Sequence, residues 1–296
     1  APASSFELAL TNSDFKFPQL WRNNIAIDQR LPLGFTSTTE FIYNRDVNGV
    51  YYINANLPAA QSAFAGPDSR PRWTNNRIHS AVANAVVLKN QNVGRSWNIS
   101  TSLDRRFGAN FIKAAYNYGS SKNTVDPGSI AFGSWNNNEH SGDPNNPGVG
   151  FSPVGRAGHR FFATGTYGKD LFSFGRTSVS AFYEVRNIGV SSYTYSGDLN
   201  GDGGTSNDLL YIPRDQSEMN FQTFTVGART YTAAEQAAAW EAYISQDDYL
   251  SKNRGKYAGR GGVLLPLVHR MDVSIAQDLF TNIRGRRHSL QIRADV

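Results

Sequence analysis

The chain alternates between strand pairs joined by very short turns and very long polar connections. The predicted turns lie at residues 32–34, 108–109, 169–170 and 281–287. The predicted connections cover about residues 44–94, 119–155 and 187–266. Most connections in soluble domains are only a few residues long. Sheets of the outer-membrane barrel type instead carry tight turns at one end and long loops at the other, so this rhythm favours such a sheet.

Apolar and polar residues alternate with a period of two in eight segments. Between residues 95 and 107, Trp97, Ile99 and Leu103 share one face, and Ser100 and Asp104 share the other. Because successive strand residues point to opposite sides, each segment is predicted to be a strand with one apolar and one polar face. The predicted strands cover residues 21–31, 35–45, 95–107, 110–119, 159–168, 171–186, 267–280 and 288–296.

A soluble β-sandwich also has two-faced strands, but three features favour the membrane. Many segments exceed the usual five or six residues and approach the roughly 9–11 that cross a bilayer. Charged residues lie on the polar face of almost every segment. Aromatic residues, which are stable where a membrane meets water, gather at the segment ends. They are Phe35, Phe107, Tyr167, Phe172 and Phe280 near the turns, and Trp21, Tyr43, Trp97, Tyr118 and Tyr183 near the connections.

Composition narrows the classes of function. The mean hydropathy is negative, as expected of strands that show lipid only at every second residue. The chain has no cysteine, and its net charge of +5 is scattered rather than clustered, so no nucleic-acid partner is predicted. Motifs for phosphate-cradling loops, zinc proteases, serine hydrolases and dinucleotide binding are absent, and no enzymatic activity is predicted.

The two ends of the chain bear on the size of the barrel. Residues 1–19 are predicted to be loop-like, and the last strand stops at Val296 without a partner after it. An open edge inside lipid leaves backbone groups unpaired. Either about eight strands close on themselves, or the chain is part of a larger barrel. Loops this long suit a wide barrel, so we expect the second arrangement and expect the chain alone to aggregate in detergent.

The longest connection contains a helix signal. Thr232 and Glu235 have the spacing of a capping box, and the alanine-rich run 233–239 follows it. Trp240 and Ile244 then recur at helical spacing. We predict one short loop helix here.

The same connection contains a motif for calcium. Residues 198–203 read DLNGDG, which matches the first half of an EF-hand loop, with side-chain oxygens at Asp198, Asn200 and Asp202 before a glycine. The expected bidentate glutamate is missing, because Leu209 holds its position and Asp208 lies one place earlier. We predict a weak calcium site formed by these three residues and Asp208. The alternative is a solvated turn of Asp, Asn and Gly residues.

Several of the predicted loops resemble those of one family. The stretches are LTNSDFKFP (10–18) before WR (21–22), DPGSIAFGSW (126–135), YTYSGDLNGD (193–202), NDLLYIPR (207–214) and QDDYL (246–250). Over nearly its whole length the chain resembles the C-terminal barrel part of TonB-dependent outer-membrane receptors of Gram-negative bacteria. Within these receptors it resembles specifically the Oar-like group, which carries a carboxypeptidase-regulatory-like domain upstream.

This resemblance implies a fold and a set of partners. Such receptors are barrels of about 22 strands closed by an N-terminal plug, on which an energised TonB complex acts to admit a ligand. Residues 1–296 would then be one partial barrel domain of all-β, antiparallel transmembrane architecture, without the plug and the final strand. The implied partners are outer-membrane lipid, an unknown extracellular ligand and, through the plug, the TonB complex.

Two functions of different classes remain open at this point. One is a receptor for energised uptake of an exogenous ligand across the outer membrane. The other is an outer-membrane structural or adhesion protein whose loops bind partners without transport. A plug and a TonB-binding segment upstream would favour the first. A barrel enzyme would need a catalytic pair at a strand end, and the sequence offers no convincing set.

Overall fold

The computed structural model describes residues 5–128, 130–152 and 158–296. Within these ranges the chain is mostly β-strand, as predicted. Its helices are α1 (Ala131–Asn136), α2 (Ala233–Gln246) and α3 (Asp248–Lys252), with 3-10 turns at Pro32–Gly34 and Gln216–Glu218. None of the helices described is long and apolar enough to cross a membrane.

Eight long strands form one sheet in which each strand pairs antiparallel with the next along the chain. This order confirms the eight predicted strands. They are β1 (Leu20–Leu31), β2 (Phe35–Asp46), β3 (Arg95–Phe107), β4 (Asn110–Asn123), β5 (Gly158–Phe172), β6 (Gly175–Asn187), β7 (Leu267–Ile283) and β8 (Arg286–Asp295). A two-residue strand, Gly150–Phe151, adds to β4.

Three of the four predicted turns are confirmed. Leu33 and Gly34 both have positive φ in the first turn, Gly108 does in the second, and Arg284 and Gly285 do in the last. The third turn was predicted at residues 169–170 and lies instead at residues 173–174, between β5 and β6. Polarity alone indicated the Lys-Asp pair, but Lys169 still pairs across the strands with Thr177, and a bulge follows it.

The register places most of the apolar residues of the eight strands on one face. Ile25 lies opposite Phe41, which lies opposite Ile99, and further along the sheet Val179 lies opposite Ile275. These side chains remain exposed, with relative exposures from 41% for Phe41 to 68% for Ile25. No layer of the described chain covers this face, so the sheet carries an apolar surface without a protein partner.

The other face of the sheet is a ladder of polar side chains. Asn24 donates to Glu40 at 2.6 Å, Asn117 donates to Asn98 at 2.6 Å, and Arg160 pairs with Glu184 at 2.6 Å. The pairs join β1 to β2, β4 to β3 and β5 to β6. Cross-strand pairs of this kind stabilise a sheet. The predicted separation into an apolar and a polar face is therefore confirmed.

The sheet is open in the part of the chain that the structure describes. There, β1 pairs only with β2, and β8 pairs only with β7. The eight strands do not close on themselves.

The long connections and the segment before the sheet are folded rather than irregular. Residues 1–19 were predicted to be loop-like; residues 1–4 lie outside the described part of the chain, and the prediction is wrong for Phe6–Thr11, a strand that pairs in parallel with Val82–Gln91. Val82–Gln91 in turn pairs antiparallel with Gly49–Asn54. Short two-stranded pairs complete the connections: Ser62–Ala63 with Pro71–Arg72, Val190–Ser191 with Val263–Leu264, Tyr211–Ile212 with Lys256–Tyr257, and Phe224–Val226 with Arg229–Tyr231.

The predicted loop helix is confirmed as α2. The Thr232 hydroxyl accepts from the Glu235 N–H at 3.2 Å, and the Glu235 carboxylate accepts from the Thr232 N–H at 2.8 Å. It is not the only helix, since α1 and α3 are also present. Asp247 is the N-cap of α3. The sequence did not indicate a second helix there, because the residues before Asp247 already have a helical composition.

The hydrophobic core lies in the connections and not in the sheet. One buried cluster, the α2 cluster, comprises Leu210, Ile212, Ile244, Leu250 and Ala258, all from the third connection. A second, the tryptophan cluster, comprises Leu57, Trp73, Val86 and Trp135 from the first and second connections. The three connections thus form a folded assembly at one end of the sheet, which we call the loop assembly.

Substituting Ile212→Ala tests this location of the core. Ile212 is fully buried, so the change removes buried methyl groups and leaves a cavity; we expect a loss of about 2–5 kcal/mol of unfolding free energy. The control Ile275→Ala, on the exposed sheet face, should cost much less in detergent. Urea unfolding followed by tryptophan fluorescence measures both. Equal losses would place the core in the sheet.

Candidate functional site

A buried arginine joins the first and third connections. Arg70, 1% exposed, pairs through Nη1 with Oδ1 of Asp208 at 3.0 Å and donates through Nη2 to the Leu209 carbonyl at 2.7 Å. Its Nε pairs with Asp68 at 3.0 Å. Burial lowers the pKa of Arg70, but the Asp68 and Asp208 carboxylates outweigh that effect and raise it, so the guanidinium stays charged. Rings of Tyr195 and Tyr257 flank it, with centroids 5.2 and 5.3 Å away.

The turn that contains the calcium motif lies directly beside this arginine. Asp198 accepts from the N–H groups of Gly201 at 2.8 Å and Gly203 at 3.0 Å. Asn200 accepts through Oδ1 from the Asp202 N–H at 2.9 Å, and Asp202 accepts through Oδ1 from the Gly204 N–H at 2.7 Å. Glycines at 201 and 203 have φ of 83° and 98°, which residues with a side chain rarely adopt. The chain therefore curls around the side-chain oxygens of its own aspartates and asparagine.

The structure places the four predicted calcium ligands unequally. Asn200 and Asp202 are buried within the turn, and Asp198 is its more exposed member. Asp208 is also buried, but its Oδ1 is on Arg70 and its Oδ2 accepts from the Leu199 N–H at 2.9 Å. The sequence spacing does not predict that Asp208 pairs with Arg70, which lies 138 residues away. No three His, Cys, Asp or Glu side chains among the described residues are grouped to hold a metal, and the calcium site stays a prediction.

Electrostatics around the turn are negative. Burial raises the pKa of Asp198; the Gly203 N–H opposes the rise, and the carboxylates of Asp202 and Asp208 add to it. Burial is the larger cause of this rise, and the neighbouring carboxylates are smaller ones.

Beside the turn lies an aromatic cavity of about 920 Å³. Its wall includes Tyr195, Leu210, Tyr211 and, from α2, Trp240 and Tyr243. The rings of Trp240 and Tyr243 stack at 5.4 Å with planes 10° apart. Ligand sites are typically roughly 300–1,000 Å³ and mostly apolar with a few polar groups. This cavity has the size and lining of such a site.

The carboxylates at the edge of the cavity are already occupied by donors. Asp68 accepts from Arg70 and, at 2.9 Å, from the Tyr257 hydroxyl. Glu218 accepts from the Tyr211 hydroxyl at 3.0 Å and from the Arg214 N–H at 2.8 Å. Because these charges are paired, the cavity offers ring faces rather than a free charge. It is suited to an uncharged apolar or aromatic group.

A second cavity, of about 660 Å³, is polar. Arg260 pairs there with Asp126 at 3.1 Å and donates to Asn123 Oδ1 at 2.6 Å, which ties the third connection to the end of β4. Burial lowers the pKa of Arg260, and Asp126 opposes that effect.

The second connection is packed, although residues 134–150 are rich in asparagine and contain two prolines, a composition typical of a mobile surface loop. Trp135 is 2% exposed, donates through Nε1 to Asn145 at 3.0 Å and belongs to the tryptophan cluster. Asn145 itself donates to the carbonyl of Asn54 at 3.1 Å, so the asparagines here satisfy buried backbone groups.

Comparisons with known proteins return nothing. No protein-family model matches the chain, no curated protein matches it, and no solved structure matches it.

Substituting Arg70→Ala tests the role of the buried ion pairs. It leaves the fully buried Asp208 carboxylate without its partner, and breaking such a pair costs about 3–5 kcal/mol. We expect a loss of that size in the unfolding free energy of the loop assembly. Arg72→Ala is the matched control, because the Arg72 side chain is exposed, lies over the Phe64 ring at 5.8 Å and forms no ion pair with the described residues. If both variants unfold alike in urea, Arg70 does not hold the connections together.

Proposed function

We propose that this chain is the wall and the outer loops of a larger β-barrel receptor in an outer membrane. The observation that carries the proposal is the exposed apolar face that continues across all eight strands of an antiparallel, up-and-down sheet. A bilayer is the environment that covers such a face without a second protein layer.

The shape of the sheet supports this proposal. Its connections segregate, with tight turns at one end and the loop assembly at the other. Its polar face carries hydrogen-bonded and charged side chains such as Glu40, Arg160 and Glu184, as expected for the wall of a water-filled interior. β1 and β8 are open edges in the described structure, and further strands on both sides would satisfy them.

The barrel we propose has about 22 strands, of which this chain supplies eight. That number comes from the resemblance to TonB-dependent receptors of the Oar-like group. A narrow barrel is filled by its own side chains. A wide one accommodates a plug, and the three connections would then form part of its outer rim.

For the loop assembly we propose capture of an exogenous ligand for energised uptake. The aromatic cavity supports this role, because it is preformed, lies at the loop end of the sheet and exposes ring faces. It would accept an uncharged apolar or aromatic part of the ligand. A TonB complex would act through the plug of the same receptor, and the loops of this chain would provide the first binding step.

Substituting Ile99→Lys and Ser100→Lys separates the membrane wall from a soluble sheet. Ile99 lies on the apolar face and Ser100 on the polar face of the same strand, β3. A lysine facing lipid near the midplane costs roughly 2–4 kcal/mol, whereas one facing the lumen costs little. Unfolding of the receptor from lipid vesicles should therefore be strongly destabilised by the first change only. Equal losses at both positions would contradict the proposal.

A further inference from the structure

We propose that residues 198–207 hold a calcium ion, with oxygens of Asp198, Asn200, Asp202 and Asn207 as its protein ligands. Asn207 is a new member of this set. Asp208 is not a direct ligand; it links the site to Arg70. This inference is independent of the proposed receptor function, since it concerns only the loop assembly.

The first argument is a buried carboxylate without a permanent cation beside it. The Asp202 side chain is fully buried, and among the described residues no arginine or lysine pairs with it. Its Oδ2 accepts from the Asn200 Nδ2 at 3.0 Å and lies 3.0 Å from the His140 Nε2. A buried carboxylate needs a counter-charge or a metal. Arg70 is committed to Asp68 and Asp208 and leaves Asp202 without a permanent cation.

The second argument is a buried oxygen without a donor. Asn207 is 1% exposed, and its Nδ2 donates to the Asn136 carbonyl at 2.9 Å. That bond fixes the amide, yet its Oδ1 has no hydrogen-bond partner within the described chain. Leaving a buried polar atom unpaired is unfavourable, because the atom loses its hydrogen bond to water. A bound cation would supply the partner that this oxygen lacks.

The Asn207 amide lies against the same turn as the carboxylates. A Cβ atom at Gly204 would come 2.1 Å from the Asn207 Nδ2 and 3.0 Å from its Oδ1, so only a glycine lets the amide lie there. The Gly204 N–H donates to Oδ1 of Asp202 at 2.7 Å. Asn207 and Asp202 are therefore both neighbours of Gly204.

The donor set selects the kind of ion. Two carboxylates and two amide oxygens, with no sulfur, suit a hard cation, and calcium accepts such ligands in irregular geometry. Carboxylate and amide oxygens carry two lone pairs each, so those already accepting one N–H bond retain capacity for an ion. Without a bidentate glutamate the affinity should lie near the roughly 10⁻⁴–10⁻³ M of extracellular modules.

The ion would stabilise a turn of the third connection that is hydrogen-bonded to the other two connections. The Asn200 carbonyl accepts from the Trp73 N–H at 2.7 Å, in the first connection. The Asn207 carbonyl accepts from the His140 N–H at 2.9 Å, in the second. Leu209, directly after the turn, donates to the His140 carbonyl at 2.9 Å and leads into the wall of the aromatic cavity. Calcium in the turn would thus stabilise the wall of the aromatic cavity.

Terbium luminescence tests the site directly, because Tb³⁺ replaces calcium at oxygen sites and Trp73 adjoins the turn as a sensitiser. The protein in detergent should give saturable terbium emission on tryptophan excitation, and millimolar Ca²⁺ should displace it. Absence of emission, or emission that Ca²⁺ does not displace, would overturn the proposal.

Three variants locate the ion. Asp202→Asn keeps the shape and removes the charge, and it should weaken terbium binding by at least about tenfold. Asn207→Ala keeps every carboxylate and should also weaken terbium binding. This second variant tests the proposal even if Asp202→Asn does not fold. Asp248→Asn is the control, since that carboxylate is 99% exposed and pairs only with Lys252. If Asp202→Asn or Asn207→Ala, correctly folded, titrates like the control, the proposed ligand set is wrong.

Discussion

The apolar face of the eight-stranded sheet is the constraint on which the rest of the structure depends. Strand pairing satisfies the backbone inside the sheet, but it cannot cover side chains such as Ile25 and Ile275, which remain more than half exposed. In water, contiguous apolar surface of this extent is unfavourable. The chain does not fold any helix or second sheet over it in the described residues. A surrounding that is itself apolar resolves the conflict, and we infer lipid.

That constraint divides the molecule into two regions with different sources of stability. The sheet relies on its hydrogen-bonded ladders and on its surroundings, and it has no core of its own. The loop assembly relies on two buried clusters and on ion pairs centred on Arg70, Asp126 and Arg260. Because Arg70 is surrounded by carboxylates and tyrosine rings, its burial orders the ends of separate connections. The shape of the aromatic cavity depends on this packing around Arg70.

Local sequence features predicted much of the fold. The period of two gave the eight strands and the face of most of their apolar residues, because the strand repeat alternates. Ile42 and Phe162 are exceptions, since they lie on the polar face opposite Asn24 and Glu184. The capping box gave α2. The third turn was misplaced because polarity does not distinguish a turn from a bulge near Lys169. The strands Phe6–Thr11 and Val82–Gln91 were missed because they lie outside the eight strand pairs with short turns and pair with each other across a long stretch of chain.

The candidate site was less predictable, and the reason is distance along the sequence. The turn at Asp198 follows from its glycines and aspartates. Arg70, His140 and Asn136 lie on other connections, and only the fold brings them to that turn. Nothing local marks Arg70 as buried or Asp208 as its partner. The aromatic cavity likewise combines α2 with residues near Tyr195, so no single sequence motif predicts it.

Nitroxide scanning of β6 tests the central claim most directly. Single cysteines from Thr177 to Val185 would be spin-labelled in the membrane-reconstituted protein, and the accessibility of each label to oxygen and to a water-soluble nickel complex would be measured. If the sheet is a membrane wall, oxygen accessibility peaks at Val179, Ala181 and Tyr183, and nickel accessibility peaks at the residues between them. Equal access of the nickel complex to both sets of positions would contradict a lipid-facing sheet.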